Sequence, residues 1–260
     1  MDSGDVKAAA RQVEEHPLLQ LGARLGYAVS GVVHLLIAWL AVQLATGTRT
    51  AAADQSGAFA TLARTSVGFV VLWVGVAGFG LLGLWQLTET VIRSDPKQRV
   101  KSLAKGAVYL VLAWSCLQFI QGAGVDSTAQ SVDFTAKVMA WALGRAVVAV
   151  VGFAVLGVAA YHVVKGVRRT FLRDLREPPQ DWVVAVGRFG YVAKGVAFTV
   201  VGCLFLLAAW HTNPAEASGL DGALRSLAGL PLGTLVLLVV ALGFAAYAIY
   251  SFARSRYARV

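Results

Sequence analysis

Charged side chains are scarce in this chain. They make up 14% of its 260 residues, and acids are the rarer kind, 14 Asp and Glu against 23 Lys and Arg. A soluble domain of this length needs a charged surface to avoid broad apolar patches, so the shortage excludes an ordinary water-soluble globule. Cysteine is as sparse. Cys116 and Cys203 both fall within long apolar runs, which excludes a disulfide framework and predicts two small buried apolar side chains. The four histidines stand singly at 16, 34, 162 and 211, with no His/Cys spacing suited to zinc. A Gly-rich phosphate loop ending in Lys-Ser/Thr, a Gly-x-Ser-x-Gly elbow and a His-Glu-x-x-His helix are all missing. A bis-histidine haem would need His34 and His162 at one depth, and their predicted depths differ by about two helical turns. No catalytic residue, metal ligand or cofactor is assigned, and an enzyme is not expected.

What the chain does have is apolar length. Hydrophobic residues make up 57% of it, gathered into six runs at 25–45, 67–87, 103–120, 141–164, 189–210 and 230–252. Each is long enough, at about 20 residues, to cross about 30 Å of hydrocarbon as a helix. None alternates as an outer-membrane barrel strand does, and only helices satisfy their own backbone where water is absent. The expected class is an all-α integral membrane protein. The first 20 residues are polar and the first run exceeds a typical signal-peptide core, so that run is expected to stay as a span. Segment 1–24 is expected to be a cytoplasmic amphipathic stretch, broken at His16-Pro17.

The basic residues are distributed unevenly. Of the 23 Lys and Arg, 17 lie in segments 1–24, 88–105, 165–188 and 253–260, whereas the alternate loops hold only Arg49, Arg64, Lys137 and Arg225. The positive-inside rule assigns the basic segments, with both termini, to the cytoplasmic side of a bacterial plasma membrane. The expected partners are anionic lipid headgroups at that face and other membrane proteins. Nucleic acid is not expected, because no groove-reading motif accompanies the basic runs.

The six runs are three copies of one hairpin. The odd-numbered runs open with a shared pattern around Gly31, Gly106 and Gly195, and the even-numbered runs carry Gly78-Phe79, Gly152-Phe153 and Gly243-Phe244. The three spacings from opening glycine to Gly-Phe pair are 47, 46 and 48 residues. Repeat boundaries are drawn at 25–94, 95–177 and 178–260. Two spans per copy give every copy the same orientation, so a pseudo-threefold six-helix bundle is expected, with the glycines at close helix approaches. Ser56, Ser131 and Ser218 recur in the three connecting loops and are read as N-caps of short interfacial helices.

The opening Arg24-Leu25-Gly26-Tyr27 and Arg188-Phe189-Gly190-Tyr191, leading to Gly31 and Gly195, resembles that of bacterial, mainly actinobacterial, membrane proteins grouped as the domain-of-unknown-function 1206 family. The resemblance covers about Gly22 to Arg254. It implies a three-repeat, six-span membrane protein and supplies no activity or ligand. The middle copy departs from the pattern, with Lys101-Ser102 in place of Gly-Tyr.

Ionisable groups inside a span are functional candidates by default. His34 sits about 15 Å along its helix from Arg24, and its equivalents are Tyr109 and Phe198, so the position takes a ring in every copy. It is either part of an interior aromatic layer, hydrogen-bonded to a neighbour, or a residue of a proton relay, a ligand contact or a metal site. Lys105 and Lys194 are equivalent to each other and to Ser30, and either snorkel to the interface or form a polar ring at the cytoplasmic mouth. Arg145, Glu89 and His162 are read as interface anchors, and Trp85, Trp182, Trp141 and Trp210 as an aromatic belt. The favoured function is a non-enzymatic scaffold or accessory subunit that binds lipid or other membrane proteins. The alternative is a small channel or transporter along the pseudo-threefold axis.

Overall fold

A computed structural model describes residues 17–48, 51–92, 95–124, 126–176 and 180–258. In chain order the helices are α1 (Pro17–Ala45), α2 (Gln55–Ala63), α3 (Ser66–Ile92), α4 (Pro96–Ile120), α5 (Ser127–Met139), α6 (Gly144–Val167), α7 (Asp181–His211), α8 (Gly219–Ala228) and α9 (Gly233–Tyr257). Six of them, α1, α3, α4, α6, α7 and α9, are long and apolar enough to cross a bilayer. Their outward faces carry Trp39, Trp73, Trp114 and Trp210, each at least half exposed, a surface that suits lipid and not water. The protein is an all-α, multi-pass membrane protein. The three short helices α2, α5 and α8 each lie between the two spans of one repeat and form a lid face opposite the basic face.

Some local expectations are corrected. Most of the expected amphipathic segment, residues 1–16, lies outside the described residues, and residues 17–24 continue into the first span with Pro17 at the helix start, where a missing N–H is tolerated. Cys116 is fully buried, but Cys203 lies on the outward side of α7 and faces lipid. Trp85 does not join an interfacial belt. It is buried with Ala23, Tyr27, Leu82 and Ala258, because the basic end of α3 packs against α1 and the C-terminal segment. Trp182, Trp141 and Trp210 remain exposed near helix ends.

The repeats meet at three seams. The second span of each repeat packs on the first span of the next, as α3 on α4, α6 on α7 and, from the last repeat back to the first, α9 on α1. The opening glycines lie in these three seams. A methyl on Gly31 would sit 2.8 Å from Phe252, one on Gly106 3.3 Å from the Gly83 carbonyl, and one on Gly195 2.9 Å from the Ala159 carbonyl. Small residues let helices pack where lipid leaves no hydrophobic drive for association.

Within the repeats the symmetry breaks. In the first and third hairpins the two spans pack together, α1 on α3 and α7 on α9, but α4 and α6 do not. The sequence explains the difference. Gly26 and Gly78 meet backbone to backbone, so that a methyl on Gly26 would lie 2.8 Å from the Gly78 carbonyl oxygen; one on Gly190 would lie 2.5 Å from the Tyr247 nitrogen. The equivalent residue of the middle repeat is Lys101. A lysine cannot occupy a backbone crossing, and α6 turns its glycine elsewhere: Gly152 packs against Leu206 and Gly202 of α7. Phe153 then points outward, 64% exposed, while its counterparts Phe79 and Phe244 are buried. Gly157, with no neighbour in reach, also borders open space.

This account predicts opposite effects for two kinds of glycine. Gly26→Leu and Gly190→Leu drive a side chain into backbone and should each lower stability by about 3 kcal/mol, whereas Gly157→Leu should be close to neutral. Thermal unfolding of the three variants in one detergent measures the difference.

Candidate functional site

The recurring loop serines do not cap helices in the first two repeats. Asp54 caps α2, accepting from the Gly57 N–H, and Asp126 caps α5, accepting from the Thr128 and Ala129 N–H groups. An extended aspartate carries a charged acceptor at the positive helix end, which a serine one or more residues into the helix cannot supply. Ser218 does stand at the cap of α8, but its hydroxyl donates to the Glu216 carbonyl oxygen instead. The serines link the lid. Ser56 Oγ accepts from the Ser127 N–H at 3.3 Å, and Ser131 Oγ donates to the Ala217 carbonyl oxygen at 2.6 Å. Asp221 closes the circle, accepting from the Ala53 N–H at 2.6 Å while also holding Arg225 at 2.6 Å. Each connecting loop is thus tied to the next. Burial raises the Asp54 carboxyl pKa, a push only partly offset by its hydrogen bonds to Gly57 and Ser56.

Beneath the lid one apolar core fills the bundle. Phe59 of α2, Leu224 of α8, Leu72 of α3 and Leu237 of α9 are buried together with Val33 and Ile37 of α1. A small cavity of about 160 Å³ lies between the lid and the outer half of α4, lined by polar side chains such as Gln55, Ser56 and Gln118 and by the apolar Phe59, Leu112 and Phe119.

The basic half of the bundle is aromatic and charged. His34 donates from Nδ1 to the Ser30 carbonyl oxygen one turn back (2.7 Å), which leaves Nε2 to accept from the Lys194 ammonium at 3.0 Å. The partners therefore define a neutral Nδ1–H imidazole. The Lys194 ammonium lies 4.3 Å from the Tyr247 ring centre and 5.7 Å from that of Phe198. The expected aromatic layer is present at its repeat positions. His34 faces Phe244 and Tyr247, Tyr109 stacks on Phe79 and meets Tyr27 edge-on, and Phe198 meets His162.

Where Ser30 and Lys194 meet His34, Lys105 lies within electrostatic reach of Asp174, which the loop after α6 carries in a short 3-10 turn, Thr170–Asp174. Asp174 accepts from Lys165 at 2.6 Å and lies 3.8 Å from the Arg254 guanidinium. Burial pushes its carboxyl pKa upward, but Arg254, Lys165 and Lys105 outweigh that and hold it below the ordinary carboxylate value. Arg254 spreads over Tyr27, 4.1 Å from the ring centre, and its buried Nε has no hydrogen-bond partner among the described residues. The turn itself is pinned under α9 by Tyr250, whose hydroxyl donates to the Phe171 carbonyl oxygen.

This cluster lies at the basic end of the open hairpin. Lys101 of α4 reaches across to the Tyr161 ring of α6 (5.0 Å), and Lys165 covers the same ring at 5.7 Å. Above them the two helices do not pack together, and Val108 of α4 and Val158 of α6 are exposed. Lys165, Asp174 and Arg254 were not singled out by sequence reading. Their signal was faint: one acid among the arginines of a basic loop, and two cations at the ends of apolar runs.

Fold and site together define a three-repeat, six-span membrane protein whose ring of helices is open in its middle hairpin. The chain belongs to the family described as Domain of Unknown Function (DUF1206), whose sequence profile matches it three times, at residues 25–93, 100–169 and 189–258. It is similar to the uncharacterized protein YxxB of Bacillus subtilis (strain 168), with 29% identity over 259 residues, 94% of this chain and 93% of the relative. No solved structure matches it.

The depressed pKa of Asp174 ties stability to acid. Its contribution should be complete above the unfolded aspartate value near 3.8 and disappear as pH falls through the lower folded value. Asp174→Asn should therefore lower stability by about 3 kcal/mol at neutral pH, leaving buried cations unmatched. Melting curves of both proteins should converge as pH falls below 3.8, through the folded value.

Proposed function

We propose that this protein is a non-enzymatic scaffold or accessory subunit of the bacterial cytoplasmic membrane, with its basic face towards the cytoplasm, that works by holding lipid in its open middle hairpin and presenting that surface to other membrane proteins. The observation that carries the reading is the separation of α4 and α6 beside two closed hairpins of the same design. Only 17% of each of their apolar windows is buried inside the protein, against 39% or more in the other four spans, so these two helices leave the most surface for an outside occupant. The orientation is supported by the one-sided distribution of Lys and Arg. A channel or transporter along the axis is disfavoured by the filled lid half, where Phe59, Leu72, Leu224 and Leu237 are each 1% exposed or less.

Lipid analysis of protein purified in mild detergent tests the proposal. At least one lipid should be retained per chain, and reconstituted vesicles should show no solute flux; delipidated protein of unchanged stability, or flux, would contradict it. In a background lacking Cys116 and Cys203, Thr48→Cys should react with an impermeant maleimide outside the cell and Lys97→Cys only after permeabilisation.

A further inference from the structure

We infer that Lys105, Lys165 and Arg254 form a seat for the phosphate of an anionic phospholipid, which enters sideways through the cleft between α4 and α6. The inference rests on the lipid-holding reading above and names its site and headgroup class.

The first ground is charge. Lys105 lies close enough to Arg254, Lys165 and Lys101 to be repelled by all three, and one carboxylate, Asp174, acts on Lys105, Lys165 and Arg254 together. Asp174 is already engaged by Lys165 and faces Arg254 at 3.8 Å. Among the described residues Lys105 has no hydrogen-bond or ion-pair partner and the buried Arg254 Nε has no acceptor. A surplus of cations in a low-dielectric setting is unfavourable unless an anion joins them, and a phosphate offers several acceptor oxygens to donors approaching from different sides.

The second ground is the route. Lys101, Lys105, Val108 and Leu112 recur at helical spacing on α4, and Ala154, Val158, Tyr161 and Lys165 do so on α6. Contact between Lys101 and Tyr161 joins the two rows at their basic ends. Away from that end the rows are apolar, and Val108 and Val158 are 57% and 46% exposed. A cleft with cations at the headgroup level and exposed aliphatic side chains deeper in the membrane matches one amphiphile, an acyl chain lying along the valines with its phosphate among the cations. A free phosphate would satisfy the charges and leave the apolar rows uncovered.

Delipidated protein in a neutral detergent, titrated with phosphatidylglycerol and with phosphatidylcholine of the same chains, and read by native mass spectrometry, tests this. Phosphatidylglycerol should bind at least about 5-fold more tightly, Lys105→Gln should weaken it by about 5-fold, and Lys137→Gln on the lid face should leave it unchanged. Arg254→Gln should weaken it by about 10-fold. Because Arg254 also packs over Tyr27, Lys105→Gln and the exposed Lys101→Gln carry the test if the arginine variant does not fold. Equal binding of the two lipids, or phosphatidylglycerol binding indifferent to these variants, overturns the seat while leaving lipid holding intact. Failure to bind either lipid overturns both. Displacement of bound phosphatidylglycerol by millimolar inorganic phosphate would identify a seat for the free ion and overturn the lipid assignment.

Discussion

Two membrane helices can cross with their backbones in contact only where the crossing residue carries no side chain. Lipid is as apolar as the helices it surrounds, so such close contact, and not expulsion from water, is what holds a hairpin shut. In this chain Gly26 and Gly190 allow it and Lys101 forbids it. The consequences run through the middle repeat. With no close partner in α4, α6 offers Gly152 to α7, turns Phe153 out to the lipid and leaves Gly157 without a neighbour. The seams between repeats are kept by Gly31, Gly106 and Gly195, and the lid closes over the outer face through three hydrogen bonds between successive loops. The molecule is therefore a closed circle at its lid and an open one in the membrane.

The electrostatics follow the same division. On the lid face charge is balanced locally: Asp221 holds Arg225, and Asp54 and Asp126 serve helix ends. On the basic face one carboxylate, Asp174, answers Lys165, Arg254 and Lys105 in one cluster, and the residues that gather there come from α4, α6, α9 and the loop carrying Asp174. Lys194 takes a different solution, resting between a neutral imidazole and aromatic faces. Two lysines at equivalent repeat positions have thus acquired different surroundings because their hairpins differ.

The spans and the triplication were legible in the sequence because hydropathy and a spacing of 46 to 48 residues are one-dimensional signals. The aromatic character of position 34 and its equivalents was legible for the same reason. Lys101 was visible as a departure, but its effect was not, since nothing in a single strand of text says that Gly26 meets Gly78 across the hairpin. The serines were found and misread: Ser56 and Ser131 recur because they tie loops together, and capping fell to Asp54 and Asp126, whose offsets from the opening glycine are not conserved between copies. Asp174 was hidden because its role depends on a loop turning back beneath α9, a tertiary event fixed by Tyr250 and Phe171.

The central claim is that the middle hairpin is open where the first is shut, and one distance comparison addresses it. Trp39 and Trp73 occupy the same repeat positions in the first hairpin as Trp114 and Val147 in the second, and all four are exposed on the outer surface. Spin labels at each pair, in a background without the native cysteines, give the two separations by pulsed electron resonance in lipid. The account predicts a longer distance for the middle pair than for the first. Equal distances would contradict it.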